Sequence, residues 1–302
     1  MLFLRTIKTT RFYLLILLYT FLLAGCAKTS PQLEAPISLE ANSVSGAQIF
    51  EDTFLAHGGA NIDELHDVNV AIDGHWYYLI TKIQPEVTDT QFRQQSEERL
   101  LLNPQTYAVI YQGEAGTKQV LRTANSIDLA YNGQTSGDER IKTATALTAD
   151  AFYLFSLGPL ALSNRDVEWR RLKDGKEDGA SYYRINGKLS PGIGLSESDF
   201  VTLWVDKNTM LTFRVHITLE GFESTKGAHV DTTFLNYASV DGFTLPSHFF
   251  ERVLGPIRID AHEWWYTGLD INRGLSLDDV RLNNWSDKAQ TPASAMQGKK
   301  EK

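Results

Sequence analysis

The feature that most constrains this chain is its cysteine content, a single Cys26 in 302 residues. Cys26 follows an apolar run at residues 12–23, and that run follows a basic head with three cations. A charged head, about a dozen apolar residues and small residues before the cysteine are typical of a secretory signal, since a membrane span needs ~20 apolar residues. We therefore expect the rest of the chain to fold outside the cytoplasm without a disulfide, so that its own hydrophobic core must stabilise it.

The residues that end this run, Leu23, Ala24, Gly25 and Cys26, resemble the lipobox of bacterial lipoproteins. The resemblance implies cleavage before Cys26 and attachment of lipid, palmitate included, to the new N-terminal cysteine. Residues 1–25 would then be a signal peptide, and the lipid would anchor the chain to a membrane. An uncleaved signal anchor that ends in a chance cysteine is the alternative interpretation.

Residues 26–45 follow the lipobox and carry scattered proline, serine and acidic residues without a sustained period. This composition predicts a flexible tether that holds the folded body away from the membrane. The residue after the cysteine is Ala27 rather than aspartate, and by the lipoprotein resemblance this implies the outer membrane, with the body facing the periplasm. The inner membrane and the cell surface stay open as alternatives.

Net charge narrows the classes of partner. The formal charge is −8, and removal of residues 1–25 takes away three cations and no acid, which leaves −11. An acidic chain repels the phosphate backbone, so we predict no nucleic-acid partner. The same sign disfavours electrostatic docking on anionic lipid head groups, so the covalent lipid is the predicted route to the membrane.

A short helix is predicted directly after the tether. Between residues 47 and 56, apolar side chains recur at helical spacing, with Phe50 and Phe54 on one face and Ile49 outside it. Beyond this helix the period changes to two, which is typical of strands that bury one face. Residues 46–282 are predicted to be a single β-rich domain, and the polar residues 283–302 are predicted to be a disordered tail.

The strand pattern is long and has one interruption. Residues 68–76 alternate between apolar and polar, the run continues to Ile83 as the same or a second strand, and similar runs recur as far as Tyr266. One inserted helix is predicted at residues 143–157. About ten strands joined by short turns predict a strongly curved antiparallel sheet, a half or near-closed barrel with the two helices as a lid.

Three local patterns are similar to the Lol-type fold of lipoprotein carriers and receptors (LolA- and LolB-like proteins). They are the helix end at residues 56–59, the hairpin at 203–211 and the turn into a strand at 240–246. The resemblance spans about residues 47–270 and implies a curved sheet around an apolar cavity covered by helices. It implies binding of a lipid, an acyl chain or another hydrophobic ligand, and it implies neither catalysis nor a cofactor.

Three residues are candidates for the lining of such a cavity. Trp76, Leu203 and Phe213 lie on predicted strands at positions that alternation assigns to the inner face. Trp204 has the opposite parity to Leu203 and is expected to point outward. Aromatic residues in strands mostly fill ordinary cores, so a packed interior without a ligand is the competing interpretation.

The histidines do not show a metal-binding pattern. No two lie four residues apart as in a helical zinc motif, and the sequence beyond Cys26 offers no cysteine ligand. His57 is predicted instead to close the C-terminal end of the first helix. We therefore predict no metal site from the seven histidines, which are His57, His66, His75, His216, His229, His248 and His262.

Catalytic motifs are missing as well. Residues 190–194, Ser-Pro-Gly-Ile-Gly, have the wrong order for a nucleophile elbow, and the sequence has no phosphate-binding loop. We therefore predict a binding protein and not an enzyme. The loop at residues 189–196 is either a long connection or a flap over the mouth of the cavity.

Two other functions remain as alternatives. The first is an envelope structural or adaptor protein that uses the sheet as a protein-interaction surface, with an exposed aromatic patch around Trp265. The second is a hydrolase with a metal or carboxylate site, which requires at least three histidines and acids to converge.

Overall fold

The computed structural model describes residues 34–38 and 43–296. The predicted signal peptide, the lipobox residues Leu23, Ala24, Gly25 and Cys26, and residues 297–302 of the predicted tail lie outside the described residues.

One helix is long and the others are short. The α-helices are α1 (Gly46–Ala56), α2 (Tyr78–Ile83), α3 (Pro85–Thr88), α4 (Glu139–Leu157) and α5 (Asp287–Gln290). Short 3₁₀ helices lie at Gly59–Glu64, Gly158–Leu162, Glu223–Thr225 and Leu277–Asp279.

Strands fall into two runs on either side of α4. The first run is β1 (Asp67–Trp76), β2 (Gln95–Leu102), β3 (Gln105–Gly113), β4 (Gly116–Thr123), β5 (Ile127–Tyr131) and β6 (Gln134–Thr135). The second run is β7 (Arg170–Glu177), β8 (Ala180–Leu189), β9 (Asp199–Asp206), β10 (Thr212–Thr218), β11 (His229–Val240), β12 (Phe243–Gly255) and β13 (Ile259–Ile271). A small hairpin follows, β14 (Val280–Arg281) and β15 (Asn284–Trp285).

Within the described residues, thirteen strands form one antiparallel sheet in the order β6-β5-β4-β3-β2-β1-β13-β12-β11-β10-β9-β8-β7. The two runs are meanders that meet where the first strand pairs with the last, with Val68 opposite Ile271 and Trp76 opposite His262. Strands β6 and β7 stay at opposite edges, so the sheet is not closed into a barrel. The predicted mainly β fold, an antiparallel sheet with a few helices, is confirmed.

The predicted inserted helix is present as α4, which packs on the inner face of the sheet. Asp138 caps it, because its carboxylate accepts the backbone N–H groups of Arg140 and Ile141 at 2.9 and 3.1 Å. Within the described residues, one segment, Glu139–Leu162, is long and apolar enough to cross a membrane, and 83% of its most apolar part is buried inside the folded chain. Such burial is that of a core helix.

The leading helix is present as α1, but it buries a different face from the predicted one. Ile49 is fully buried, whereas Phe50 and Phe54 are only partly buried. Gly46 lies at the contact, where an added Cβ would sit 2.4 Å from the carbonyl oxygen of Trp169. The helix therefore approaches the backbone on that side, and Phe50 stacks on Trp169 with ring centroids 4.7 Å apart.

Tyr78–Ile83 forms α2, so the predicted continuation of the strand is wrong. The chain leaves the sheet after Trp76, and Ile80 turns into the interior while Leu79 and Ile83 stay exposed. So short an apolar run does not distinguish a strand from a helix by its period. Helices α2 and α3, together called the lid below, cover part of the inner face of β11–β13.

The predicted disordered tail is ordered as far as Met296, which corrects that prediction for residues 283–296. Trp285 and Ala289 are buried in a second, smaller hydrophobic cluster against β2–β4. Beneath them, the guanidinium of Arg99 donates to the carbonyl oxygens of Ala289 at 3.0 Å and Thr291 at 2.9 Å. The sequence did not indicate this order because the segment has no apolar run, and its contacts, including those with the guanidinium of Arg99, are with residues far away in the chain.

Part of the predicted tether contacts the body as well. Glu34 forms an ion pair with Arg184, and the backbone N–H of Ile37 donates to the carbonyl oxygen of Arg171 at 3.0 Å. Arg171 lies on β7, at the edge of the sheet. An edge strand presents unpaired backbone groups, which explains why a segment without any period pairs with it.

Candidate functional site

An apolar pocket of about 290 Å³ lies between the lid, α4 and the inner face of β11–β13. Its lining is mostly aliphatic, with Ile80, Ile83 and Val87 from the lid, Leu147 and Ala151 from α4, and Val230, Val253 and Ala261 from the sheet. Small-molecule sites usually measure roughly 300–1,000 Å³. The pocket is thus near the lower limit of this range and suits one alkyl chain rather than several.

Wider depressions on the surface have polar walls. One of about 400 Å³ is bordered by Arg165 and by the ion pair of Arg122 with Asp150. Another of about 740 Å³ is bordered by Asp73 and His75. These depressions lack the aliphatic lining that a hydrophobic ligand requires, so the pocket beneath the lid is the candidate site.

The pocket exists because α4 changes in side-chain size along its length. Facing the pocket, α4 presents Thr148 and Ala151, which leave space above the sheet. Later in the helix, Phe152 and Phe155 pack on Trp264 with ring centroids 5.0 and 6.1 Å apart. The same helix therefore fills the interior at its C-terminal end and leaves it open one turn earlier.

Trp76 lies in the pocket wall, where the inner-face assignment predicted it. Its ring stacks on His262 with centroids 3.8 Å apart and planes 2° apart, and its Nε1 donates to the carbonyl oxygen of Arg93 at 3.1 Å. These contacts fix the orientation of the ring. A contact between Trp76 and a ligand stays a prediction.

Leu203 and Phe213 lie away from the pocket, which corrects their assignment to a cavity lining. Leu203 is fully buried in the filled part of the core. The register of β10 is irregular between Thr212 and Arg214, which breaks the alternation on which the prediction depended. Phe213 consequently stacks on Tyr182 with centroids 4.4 Å apart.

The mouth of the pocket carries exposed apolar side chains. Ile83 and Ile257 line the pocket and are 46% and 63% exposed. Single exposed apolar residues are ordinary on protein surfaces, but a group of them around an opening is typical of a binding surface. The pocket is therefore accessible from an apolar rim.

Glu251 is the acidic side chain that sequence analysis missed. It lies on β12 and lines the pocket together with Val253, its neighbour at the next inward position. Burial raises the pKa of its carboxyl group to about 7, although the positive charge of Arg93 opposes this shift. Alternation could have found Glu251, because it lies two residues from both Phe249 and Val253, which are apolar and face inward.

Arg93 was missed too, and it lies deep beside the pocket. Its guanidinium lies 5.0, 4.9 and 5.0 Å from the ring centroids of Trp76, Tyr111 and Phe152. It also donates to the carbonyl oxygen of Val87 on the lid at 2.6 Å. Aromatic faces and one carbonyl thus stabilise a buried cation, and they join the lid to the sheet.

His57 is the C-cap residue of α1, as predicted, and its backbone N–H donates to the carbonyl oxygen of Thr53 at 3.1 Å, while its side chain links the helix to two strands. Its Nε2 accepts the backbone N–H of Thr212 at 3.1 Å, so Nδ1 carries the hydrogen and donates to the carbonyl oxygen of Thr244 at 2.7 Å. Burial lowers the pKa of His57 to about 4, so the ring is neutral and cannot act as a cation at the helix end.

The remaining histidines are dispersed over the sheet. His216 and His229 contact each other at 2.6 Å, and His262 lies between the rings of Trp76 and Trp264. In the part of the chain that the structure describes, no three His, Cys, Asp or Glu side chains lie close enough to hold a metal ion.

The aromatic patch around Trp265 is partly covered. Trp265 lies on the outer face, with ring centroids 6.4 Å from His75 and 6.0 Å from His248, while Trp264 and Tyr266 share the inner face as alternation predicts. The Nε2 atom of His248 lies 2.9 Å from the carboxylate of Glu263. The side chains around Trp265 therefore contact one another on the outer face.

The loop at residues 189–196 is a connection held over α4. The backbone N–H of Ile193 donates to the carboxylate of Asp199 at 2.8 Å, and that of Gly194 donates to Asp150 of α4 at 2.9 Å. The walls of the pocket beneath the lid come from other residues, so the interpretation as a long connection fits this loop better than a flap.

Comparisons with known proteins find likeness in structure. No family model matches the chain, and no curated protein matches it significantly in sequence. It is similar to the structure of a LolA superfamily protein from Nitrosomonas europaea, at 12% identity and a TM-score of 0.47 over 76% of this chain and 94% of that chain. It is also similar to a DUF1329 family protein from Desulfovibrio piger, at 12% identity and a TM-score of 0.47 over 79% and 98% of the two chains. A domain from Vibrio parahaemolyticus named for outer membrane lipoprotein sorting is similar at 13% identity and a TM-score of 0.42 over 79% and 97%.

Proposed function

We propose that this chain is a lipoprotein, anchored to the outer membrane on its periplasmic side, that holds a lipid or acyl chain in the pocket beneath the lid. The observation that carries the proposal is the aliphatic lining that the lid, α4 and the sheet together give to this pocket. Each methylene group that leaves water for such a surface contributes ~0.8 kcal/mol. A single alkyl chain therefore gains enough free energy to be held there.

Besides the buried hydrogen bond from Arg93 to Val87, two polar contacts near the surface hold the lid. Gln84, between α2 and α3, donates to the carbonyl oxygen of Ser224 at 2.8 Å and accepts its hydroxyl at 2.7 Å. Glu86 of α3 pairs with Arg140 of α4 at 2.9 Å. Exposed contacts of this kind contribute ~1 kcal/mol or less each, so these two resist opening of the lid only weakly, and ligand exchange requires in addition that Val87 leave Arg93.

The anchor in this proposal is the lipid on Cys26, and the exposed apolar rim around Ile83 and Ile257 is where a ligand passes between membrane and pocket. The lipid is tested with the full chain and its Cys26→Ala variant. We expect labelled palmitate to be incorporated into the wild-type chain and not into the variant. Equal incorporation in both would contradict the assignment of Cys26.

The pocket is tested by the lipids that copurify with residues 27–302, a chain that keeps every described residue. Ala151→Leu places a larger side chain in the pocket, and Ala47→Leu adds the same atoms to the exposed face of α1 as a matched control. After purification without detergent, lipid extraction and mass spectrometry should find an acyl lipid in the wild-type chain and in Ala47→Leu. It should be at least about tenfold depleted in Ala151→Leu, because that side chain takes the space of roughly three methylene groups. Equal amounts in all three proteins, or none in any, would overturn the proposal.

A further inference from the structure

Glu251 is a carboxyl group in the wall of an otherwise mostly aliphatic pocket. It lies opposite Thr232 of β11 and opposite His262 of β13 in the register of the sheet. Alternation turns it to the inner face, where it lines the pocket. Among the described residues, the Glu251 carboxyl group has no hydrogen-bond or ion-pair partner.

Glu98 is a second inward-facing carboxyl group of the same sheet, with which Glu251 can be compared. Glu98 is fully buried on the inner face, whereas Glu251 is half-buried, and one carboxylate oxygen of Glu98 accepts the hydroxyl of Ser96 at 2.9 Å. Burial raises the pKa of both carboxyl groups to about 7. A carboxyl group that has no protein partner and lies in the wall of a mostly aliphatic pocket is free to accept a hydrogen bond from a ligand.

The neighbours of Glu251 in the same row of the sheet also have unused polar atoms. Thr232 is fully buried and His262 is 6% exposed, and neither Thr232 Oγ1 nor His262 Nδ1 has a partner within the described ranges. Directly opposed residues of an antiparallel pair have Cβ atoms ~5 Å apart. The three side chains therefore lie side by side on the inner face, and of these three Glu251 lines the pocket.

The charged groups that face Glu251 from neighbouring elements leave it available. Arg93 directs its guanidinium at three aromatic rings and at the carbonyl oxygen of Val87. Asp231 of β11 forms ion pairs with Arg252 at 2.8 Å and Arg214 at 3.6 Å. Among the described residues, neither group forms an ion pair with the Glu251 carboxylate, although the charge of Arg93 acts on it by lowering the pKa of its carboxyl group.

We infer that the pocket selects an amphiphile with one alkyl chain and a head group that donates hydrogen bonds, a hydroxyl or an amine, to the carboxylate of Glu251. The inference rests on the proposed function, because it names the ligand class of the same pocket. An alkyl carboxylate binds poorly, since it brings a second negative charge against Glu251 at low local dielectric. A hydroxyl or amine head supplies the missing partner.

Isothermal titration calorimetry with residues 27–302 compares decanol, decylamine and decanoate, which share one alkyl chain and differ in the head group. At mildly alkaline pH we expect decanol and decylamine to bind at least about tenfold more tightly than decanoate, because a hydrogen bond to a charged group is among the stronger ones. In Glu251→Gln and in Glu251→Leu this preference should fall to less than about threefold. The exposed Glu197→Gln is the control and should keep the preference.

The outcomes separate this inference from the proposed function. If none of the three probes binds the wild-type chain, the proposed function fails. If all three bind equally well, or if both Glu251 variants keep the tenfold preference, the pocket binds alkyl chains without the help of Glu251 and this inference is overturned. Far-ultraviolet circular dichroism of each variant shows that it is folded, and Glu251→Leu provides a second reading because it adds apolar surface to the pocket instead of an amide.

Discussion

The inner face of the sheet is filled at one end and open at the other. At the packed end, Phe155, Phe234, Phe249 and Trp264 are almost fully buried, and the last two stack with centroids 4.8 Å apart. At the open end, Ala151 and the lid leave the pocket. Strands β12 and β13 run through both ends, so the sheet itself does not determine where a cavity forms. The size of the side chains that α4 presents, and the thin cover of the lid, determine it.

The largest expected effect is on stability at the packed end. Trp264→Ala removes a fully buried ring from contact with Phe152, Phe155 and Phe249, and should lower the free energy of unfolding by ~3–5 kcal/mol. Trp76→Ala at the open end should cost clearly less, since one side of that ring already borders the pocket. Urea denaturation followed by circular dichroism measures both. Equal losses would show that the two ends are packed alike.

The next effect is a pH dependence that belongs to the packed end. The His57 ring lies near Phe234, because both border Gly158. A Cβ atom added to Gly158 would lie 3.8 Å from the His57 ring and 3.7 Å from the Phe234 ring. Its pKa of about 4 lies below the value of ~6.5 in the unfolded chain, so the unfolded state binds the proton more readily. The stability that this group contributes is complete above pH ~6.5 and is lost as the pH falls towards 4.

The shift of His57 corresponds to about 3 kcal/mol. Between pH 7 and pH 4, the wild-type chain should therefore lose about 3 kcal/mol more stability than His57→Gln, because the other buried histidines are present in both proteins. Chemical denaturation across this range measures the difference. Parallel curves for the two proteins would mean that His57 is not held neutral at the packed end.

Much of the fold could be predicted from the sequence where side chains alternate strictly. The hairpin of β9 and β10, the strand β1 and the helix α4 follow directly from periodicity and turn residues. The lid could not, because a short apolar run fits a strand or a helix equally well. The ordered segment around Trp285 could not either, because its partner is a guanidinium in the middle of β2, and pairing between distant segments leaves no local pattern.

The site was less predictable than the fold. Trp76 was placed correctly because β1 keeps its alternation up to that residue, whereas one irregularity in β10 displaced Phe213 from the inner face. Leu203 faces inward as predicted, but it is fully buried in the packed core there. Alternation gives the direction in which a side chain points, and only the covering elements decide whether it meets a packed core or a cavity.

The smallest expected effect is a pH dependence of opposite sign at the open end. The pKa of Glu251, raised to about 7 by burial, lies above the value of ~4.3 for an unperturbed glutamate, so the folded chain binds this proton more tightly than the unfolded chain. Its contribution to stability is present at low pH and is lost as the pH rises from about 4.3 through 7. The pKa of Glu98 shifts in the same direction, and Glu98 is present in both proteins, so the difference between the wild-type chain and Glu251→Gln isolates Glu251.

Denaturation measured from pH 5 to pH 8 should show Glu251→Gln gaining stability relative to the wild-type chain as the pH rises. Saturating decanol should reduce that gain, since a donated hydrogen bond stabilises the ionised carboxylate. If Glu251→Gln gains no stability relative to the wild-type chain in the absence of ligand, Glu251 is as well hydrated as a carboxylate on the surface, and its pKa is not raised.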